Sequence, residues 1–321
     1  MSLSIGEGRY ILGEPLGEGR FAVVYRTQDT HLDRPVALKL LREEHVGGDP
    51  KWREAFDIEV ELLKALADLP TVVTMLDHGT ASDGRPYIGL ELLPPGTDLL
   101  TRVTHQGRLS EEDGLPIAWQ LADLLRTAHA RDIAYRDLKL EHIFWSDGRM
   151  TLIDWNVSRR FVTNNPQEHL DVSWEKEWNF QGDLFKLGTM LYSMFTGVDI
   201  RSRQIPTPVY SQLRESGYSV TDEGIVWPVD FPDVALSPEL KEIILRLVHI
   251  DLNERYQSAE AVCAALEERA HQLGVEVTRP VKEPTELPAP IVSHPPKDGI
   301  VTRMKEWLAR LSNKWWGTAR R

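Results

Sequence analysis

Features that mark several common protein classes are missing from this sequence. Its 321 residues include one cysteine, Cys263, so the chain has neither an internal disulfide bond nor a cysteine-ligated zinc site. No stretch approaches the run of about 18 uncharged apolar residues that a membrane-spanning helix needs. The first residues also lack the basic and then apolar segments of a secretory leader. These absences predict a cytoplasmic protein without a membrane span.

An excess of positive charge is missing as well. The chain has 37 lysine and arginine residues against 49 aspartate and glutamate residues, which leaves a formal charge of −12. A protein that follows a nucleic-acid backbone needs a basic face. We therefore expect no nucleic-acid partner.

The first 93 residues have the pattern of a small β-rich lobe. Short runs of β-branched and aromatic residues, separated by Gly, Asp and Pro, predict strands near residues 10–12, 21–25, 36–40, 72–76 and 87–91. One helix interrupts them, since Phe56, Val60, Leu63 and Leu66 recur at helical spacing.

Residues 94–275 have a helical pattern instead. Residues 117–128 carry an apolar stripe, and residues 184–195 are apolar on nearly every side, which is typical of a buried helix. Ser237 and Ser258 have the character of residues that cap helix N-termini. Together with the preceding residues, this pattern predicts an α+β fold with a small antiparallel β lobe and a larger helical lobe.

The composition changes again after residue 275. Residues 276–297 are rich in proline and predict an extended linker. Residues 298–321 carry a charge of +4, and their apolar residues recur at helical spacing, which predicts a basic amphipathic helix. Three interpretations are open for this helix: it folds back onto the acidic body, it binds a partner protein, or it lies on an anionic membrane surface.

Two clusters in the body could carry chemistry. Gly17 and Gly19 lie two apart between strands, a spacing that lets backbone amides approach a phosphate. Lys39 follows in an otherwise apolar strand, and a buried lysine needs an anionic partner, for which Glu59 on the predicted helix is the natural candidate. Taken alone, the glycine pair is equally explained by a tight hairpin turn.

The second cluster crowds charged residues around a predicted hairpin. Asp137, Lys139 and His142 precede this hairpin and Asp154 follows it, so the hairpin should bring them together. Two carboxylates, a lysine and an imidazole in one pocket suit a metal-bound phosphate. A surface cluster of salt bridges is the alternative.

From about Gly8 to Gly274 the sequence resembles the protein kinase family, specifically the bacterial kinases that are similar to eukaryotic serine/threonine kinases. The resemblance implies a two-lobed kinase fold and phosphoryl transfer from ATP. It makes Asp137 the base, with Lys139 beside it, and Asp154 a metal ligand, with His142 at the second metal position. The implied ATP-binding residues are Leu16, Gly17, Gly19, Val24, Ala37, Lys39, Glu59, Glu91 and Leu93.

The sequence departs from the family pattern at several of these positions. Tyr135 replaces a histidine, and Asn156 replaces the glycine two residues after Asp154. His142 stands where the family has an asparagine that holds the second magnesium, and imidazole suits softer metals than magnesium. No clear Ala-Pro-Glu motif closes the activation segment between Asp154 and Asp183, so the sequence does not identify the glutamate with which Arg255 pairs in the family.

Two functions are consistent with these motif matches and with the departures from the family pattern. The first is a serine/threonine protein kinase that uses ATP with Mg²⁺ or Mn²⁺ on protein substrates, because Lys139 is typical of serine/threonine rather than tyrosine kinases. The alternative is a pseudokinase that binds nucleotide and acts as a scaffold or regulator.

Arg136 suggests control by phosphorylation of Ser158, Thr163 or Ser173, although acidic residues nearby could supply the negative charge permanently.

Overall fold

The computed structural model of the protein describes residues 3–161, 169–198, 200, 219–220, 226–227, 229 and 231–282. The predicted basic helix and most of the predicted proline-rich linker lie outside these residues. Where helices are described, none is long and apolar enough to cross a membrane.

The N-terminal lobe is built on one five-stranded antiparallel sheet. Its strands are β1 (Tyr10–Glu18), β2 (Ala22–Asp29), β3 (Arg34–Leu41), β4 (Met75–Thr80) and β5 (Pro86–Leu90), in the order β1-β2-β3-β5-β4. Helix α1 (Lys51–Ala65) connects β3 to β4 and packs its apolar stripe against one face of the sheet. The other face has a separate small core that includes Leu38, Leu40 and Tyr87.

The second lobe is mainly helical. Its helices are α2 (Leu99–Gln106), α3 (Glu111–Ala130), α4 (His169–Thr196), α5 (Pro238–Leu247) and α6 (Ala259–Leu273). Its short strands are β6 (Ile133–Ala134), β7 (Ile143–Ser146), β8 (Arg149–Leu152), β9 (Arg159–Arg160), β10 (Ser219–Val220) and β11 (Val226–Trp227), which pair as β6-β9, β7-β8 and β10-β11.

Local sequence signals explain where the helices begin and how closely they pack. The Ser237 and Ser258 hydroxyls accept hydrogen bonds from the backbone N–H groups of Leu240 and Ala261, as expected of N-caps. Gly188 in α4 lets α5 approach, because a Cβ there would lie 2.6 Å from Cβ of Leu247. The apolar run 184–195 is part of α4, and its large apolar side chains are buried, as its pattern predicts.

One strand begins later in the structure than the sequence predicts, and the residues before it connect the two lobes. The run predicted at 72–76 starts its strand only at Met75. Its first residues pair with the other lobe instead: the Val73 N–H donates to the Leu152 carbonyl at 3.2 Å, and the Leu152 N–H donates to the Thr71 carbonyl at 2.8 Å. A local β pattern does not reveal which strand a segment will pair with.

Residues 275–282, called the C-terminal strap here, also differ from expectation. Nearly all of them belong to the predicted linker, which was expected to be extended. In the structure they lie on the body formed by the two lobes, called the kinase-like body here, where Val275 and Val277 pack against the main core. The Thr278 carbonyl accepts a hydrogen bond from Gln120 Nε2 on α3 at 3.2 Å. The folded body therefore extends to at least Lys282.

The single cysteine gives a test of this packing. Cys263 is buried on α6, and burial followed by the nearby charge of Asp123 raises the pKa of its thiol to about 12. Because the thiolate is the reactive form, we expect negligible iodoacetamide labelling of native protein at pH 8 and full labelling in denaturant. Mass spectrometry after timed labelling measures both. Equal labelling rates in the two conditions would contradict the burial of α6.

Candidate active site

The sheet aligns three of the predicted nucleotide-contacting residues. Gly17 on β1 pairs with Val24 on β2, and Val24 pairs with Lys39 on β3. Directly paired residues of neighbouring strands point to the same face, and Ala37, two residues before Lys39, shares that face. Val24, Ala37 and Lys39 thus form one surface of the sheet, with the exposed Leu16 at its edge.

The glycine-rich turn between β1 and β2 is held by backbone and side-chain contacts. The Gly19 N–H donates to the Ala22 carbonyl at 2.9 Å, and Arg42 Nε donates to the Gly19 carbonyl at 2.9 Å. Arg42 also pairs with Glu18 at 2.8 Å. The turn therefore has a defined position over the surface formed by Val24 and Lys39.

An aromatic stack ties the same turn to the start of α1. The Phe21 ring lies 5.0 Å from the Trp52 ring, and His45 stacks on Trp52 at 4.7 Å. His45 Nε2 lies 3.1 Å from the Arg20 carbonyl oxygen. The turn and the helix that carries Glu59 are connected through these contacts.

A buried ion cluster lies beneath the turn and connects the two lobes. Lys39 Nζ lies 2.7 Å from Glu59 Oε2 and 2.6 Å from Asp154 Oδ1. Glu59 is 1% exposed, and its carboxylate also accepts a hydrogen bond from the backbone N–H of Trp155. One lysine therefore holds α1 of the first lobe and Asp154 of the second.

The charges within this cluster set the protonation of its members. Burial disfavours the ammonium form, but Glu59 and Asp154 outweigh it and raise the pKa of Lys39. Burial would raise the pKa of Asp154, but Lys39, His142 and Lys139 lower it. Burial, together with Asp154, raises the pKa of Glu59 despite Lys39, because two carboxylates share one lysine. Lys39 is charged at neutral pH, and so is Asp154.

The segment that carries Asp137 is fixed from below by α4. The fully buried Asp183 accepts hydrogen bonds from the backbone N–H groups of Tyr135 at 2.8 Å and Arg136 at 2.6 Å. Its Oδ2 also lies 3.0 Å from His129 Nε2. Above this anchor, Lys139 Nζ lies 2.9 Å from Asp137 Oδ2, and both side chains are partly exposed to the cleft.

Two residues of the site have backbone angles that side chains rarely adopt. Arg136 has φ of 74° and Asp154 has φ of 61°. Non-glycine residues in this left-handed region are uncommon and concentrate at functional sites. Both aspartates therefore follow or occupy a turn with left-handed backbone, and their carboxylates both lie within 4 Å of the His142 ring.

His142 lies between the two aspartates, as the hairpin pattern predicts. Its Nε2 is 3.7 Å from Asp154 Oδ2 and its Nδ1 is 3.9 Å from Asp137 Oδ2. Nδ1 also lies 3.1 Å from the Asp137 carbonyl oxygen, which can only accept a hydrogen bond. A proton on Nδ1 satisfies this contact, and Nε2 is the ring nitrogen nearer to Asp154.

This donor set fits a divalent metal ion bound partly by other ligands. No group of three or more His, Cys, Asp or Glu side chains in the described ranges is arranged to hold a metal ion. Magnesium sites in phosphoryl-transfer enzymes need one or two carboxylates, because phosphate oxygens and water complete them. Asp154 provides one such carboxylate, and Nε2 of His142 lies 3.7 Å from it.

Tyr135 supports the site from inside. Its side chain is fully buried, and its hydroxyl donates to the Ile153 carbonyl at 2.6 Å while lying 3.0 Å from His142 Nδ1. Its ring packs edge-on against Trp155, with ring centres 4.9 Å apart. The replacement of histidine at this position therefore creates a link between His142 and the strand that leads to Asp154.

In the connection between the lobes, the side chain of Glu91 has a structural role that was not predicted from the sequence. Glu91 and Leu93 follow β5, where they were expected to contribute backbone groups. The Glu91 carboxylate accepts a hydrogen bond from the Thr74 N–H at 2.8 Å and lies 3.3 Å from Arg149 Nη2. Glu91 thereby fastens this connection to the β7–β8 hairpin.

Of the three predicted phosphorylation positions, Ser158 is not accessible. It is buried, and its hydroxyl donates to the Tyr135 carbonyl at 2.8 Å. Thr163 and the side chain of Ser173 lie outside the described residues. Arg255 lies 4.5 Å from the centre of the Phe185 ring, and its Nε donates to the His249 carbonyl.

Sequence reasoning missed Trp52 and Gln120, and it gave Tyr135 too small a role. The positions of Trp52 and Gln120 in helices are apparent from the sequence, but their contacts with the glycine-rich turn and the hairpin are tertiary. A signal did exist for Tyr135, since a residue that differs from the family pattern next to another difference, His142, suggests that the two side chains touch.

Comparison with known proteins agrees with this geometry. A model of the protein kinase domain matches residues 10–266. A probable serine/threonine-protein kinase of Streptomyces coelicolor is 28% identical over 279 residues, which is 81% of this chain and 40% of that protein. The serine/threonine-protein kinases pkn3 of Myxococcus xanthus and PknB of Mycolicibacterium smegmatis are each 26% identical, over 81% and 80% of this chain.

The chain spans less than half the length of these relatives, 49% for pkn3 and 42% for PknB. The range that the protein kinase domain model matches, residues 10–266, includes the glycine-rich turn, Lys39, Asp137 and Asp154.

The Tyr135 contacts lead to a stability prediction. Tyr135→Phe removes the donor to the partly buried Ile153 carbonyl, and leaving a buried group unsatisfied costs about 1–3 kcal/mol. We expect the free energy of unfolding, measured by urea denaturation, to fall by about that amount. Tyr25→Phe, at a half-buried position on β2, is the control and should change little. An unchanged stability for Tyr135→Phe would show that its hydroxyl makes no net contribution.

Proposed function

Because the chain belongs to the protein kinase domain family, we propose that it transfers the γ-phosphoryl group of ATP to serine or threonine hydroxyls of protein substrates. The observation that carries the proposal is the Lys39–Glu59–Asp154 cluster, in which a charged lysine lies in the cleft with Asp137 nearby. Such a cluster is costly to bury and positions a cation for phosphate oxygens.

Each residue has a separate task in this proposal. Gly17 and Gly19 let the turn between β1 and β2 approach the phosphates. Lys39 neutralises phosphate charge, and Glu59 holds its ammonium group in place. Leu16, Val24 and Ala37 present an apolar surface to the adenine ring, while backbone groups of Glu91 and Leu93 provide its polar contacts.

Asp137 is the proposed base for the substrate hydroxyl. Its carboxylate accepts the proton as the hydroxyl oxygen attacks the γ-phosphorus, while the bond from that phosphorus to the β–γ bridging oxygen breaks and ADP leaves. Lys139, 2.9 Å away, supplies positive charge for the transferred phosphoryl group. The catalytic effect of these residues is mostly positioning and charge neutralisation.

Asp154 and His142 are the proposed protein ligands of a divalent ion. When bound, this ion neutralises charge on the phosphates and orients them. An imidazole ligand favours Mn²⁺ over Mg²⁺ in comparison with the amide oxygen found at this position in the family. We propose Mg²⁺ and Mn²⁺ as alternatives and a cytoplasmic location, where ATP is available.

A phosphoryl-transfer assay tests the function. The protein is incubated with labelled ATP, Mg²⁺ or Mn²⁺ and a basic substrate protein, and phosphoserine and phosphothreonine are identified. Asp137→Asn should lower the rate by about 10²–10⁴-fold, the usual contribution of a general base. Asp147→Asn, in the turn between β7 and β8, is the matched control and should retain the rate. Transfer that is absent from the wild type, with ATP still bound, would instead support the pseudokinase alternative.

The role of His142 leads to a prediction about metal preference. His142→Asn restores a hard oxygen ligand, so we expect a severalfold higher rate in Mg²⁺ and a smaller advantage of Mn²⁺. Rates measured in each metal at saturating ATP give the comparison, with His105→Asn in the last turn of α2 as the control. A His142→Asn rate that is unchanged or lower in Mg²⁺ would contradict the proposed role.

A further inference from the structure

The C-terminal strap belongs to the folded body, although it lies beyond the region that the family shares. The kinase domain match ends at residue 266, and the strap comprises residues 275–282. It begins where α6 ends at Gly274, whose φ of 69° turns the chain back toward α3. The contacts of the strap therefore lie outside the range that the protein kinase domain model matches.

Gln120 on α3 connects the strap to the β7–β8 hairpin. Its side chain is 3% exposed, and its Nε2 donates both to the Thr278 carbonyl at 3.2 Å and to the Gly148 carbonyl at 2.8 Å. Its Oε1 accepts a hydrogen bond from the Met150 N–H at 2.8 Å. One buried amide thus satisfies the strap and both sides of the hairpin turn.

The hairpin in turn holds the connection between the lobes. Arg149 lies between the two hairpin residues that Gln120 binds, and its Nη2 is 3.3 Å from Glu91 Oε2. The other oxygen of Glu91 accepts the Thr74 N–H, and the Glu91 N–H donates to the Thr74 carbonyl at 2.9 Å. Hydrogen bonds, together with the backbone and side chain of Arg149, therefore connect Thr278 to the segment proposed to contact adenine.

The far end of the strap reaches the segment that follows α1. Lys282 Nζ donates to the Ala67 carbonyl. From the other side, Arg131 binds Asp68 with two hydrogen bonds of 2.6 Å and donates to the Ala65 carbonyl at 2.8 Å. The last turn of α1, the helix that carries Glu59, is held at this point by α3 and by the strap.

We propose that the C-terminal strap positions the nucleotide pocket, with Gln120 and Glu91 as positioning residues that transmit its attachment to the connection between the lobes. The proposal rests on the proposed function, since it assigns the affected site to ATP. An attached strap orders the hairpin and Glu91, and a detached strap leaves both with fewer constraints. The affinity for ATP then depends on residues outside the family's domain.

The contacts differ in how firmly they hold the strap. Arg279 binds Asp123 with two hydrogen bonds of 2.8 Å, but its side chain is 63% exposed, and exposed ion pairs contribute little. Val277 is half-buried against the main core. Val281 on the same strap is 85% exposed. The valines therefore form a matched pair for detaching the strap.

The experiment compares Val277→Asp with Val281→Asp in the full chain. Amide hydrogen exchange is followed at Thr74 and Met150, whose N–H groups bind Glu91 and Gln120, and at Gly19 as a remote control. We expect Val277→Asp to accelerate exchange at Thr74 and Met150 by about threefold or more, with Gly19 unchanged. Val281→Asp should leave all three rates unchanged.

The affinity for ATP is measured on the same proteins by titration calorimetry. For Val277→Asp we expect a Kd about three to ten times higher, which corresponds to about 0.7–1.4 kcal/mol. If Val277→Asp folds poorly, the double variant Arg279→Ala/Lys282→Ala detaches the strap more gently, and the same changes in smaller degree are expected.

The outcomes separate this proposal from the proposed function. A lower melting temperature with unchanged exchange at Thr74 and Met150 would overturn the strap proposal and leave the strap a structural element only. Unchanged ATP affinity despite faster exchange would overturn it as well. Failure of the wild type to transfer phosphate would overturn the kinase function, while the exchange measurement would still decide whether the strap orders the hairpin.

Discussion

The site depends on the ion cluster in which Lys39 binds Glu59 and Asp154. A lysine buried in a strand is stable only when carboxylates reach it, and these two come from different lobes. The cluster therefore holds α1 against the sheet and also holds Asp154 beneath the glycine-rich turn. The position of one lobe relative to the other is therefore fixed by these ion pairs as well as by apolar packing.

The remaining parts of the site act on the members of this cluster. Asp183 fixes the backbone before Asp137 from below, and the Tyr135 hydroxyl links His142 to the strand that leads to Asp154. Each of these polar groups is buried and hydrogen-bonded, which restricts it to one arrangement. A kinase family site with substitutions at its second metal position thus retains a defined geometry, because the substituted residues contact one another.

The strap extends the same principle beyond the residues that the protein kinase domain model matches. Gln120 is buried where it satisfies three backbone groups, one of them from the strap. A polar side chain in this position requires all of its partners, so detaching one changes the others. Regulation of ATP affinity through the segment that follows the kinase-like body would be a physical consequence of that requirement.

The sequence by itself determined most of the strands and helices, which followed from apolar periodicity. It also predicted the site, because Lys39, Glu59, Asp137 and Asp154 occur at the spacing of the protein kinase motifs that the sequence resembles. Tertiary structure decided the pairing of residues 71–73 with β8, the burial of Ser158 and the docking of residues 275–282. Local patterns encode which face of an element is apolar, but the partner that covers that face or accepts a hydrogen bond comes from distant parts of the chain.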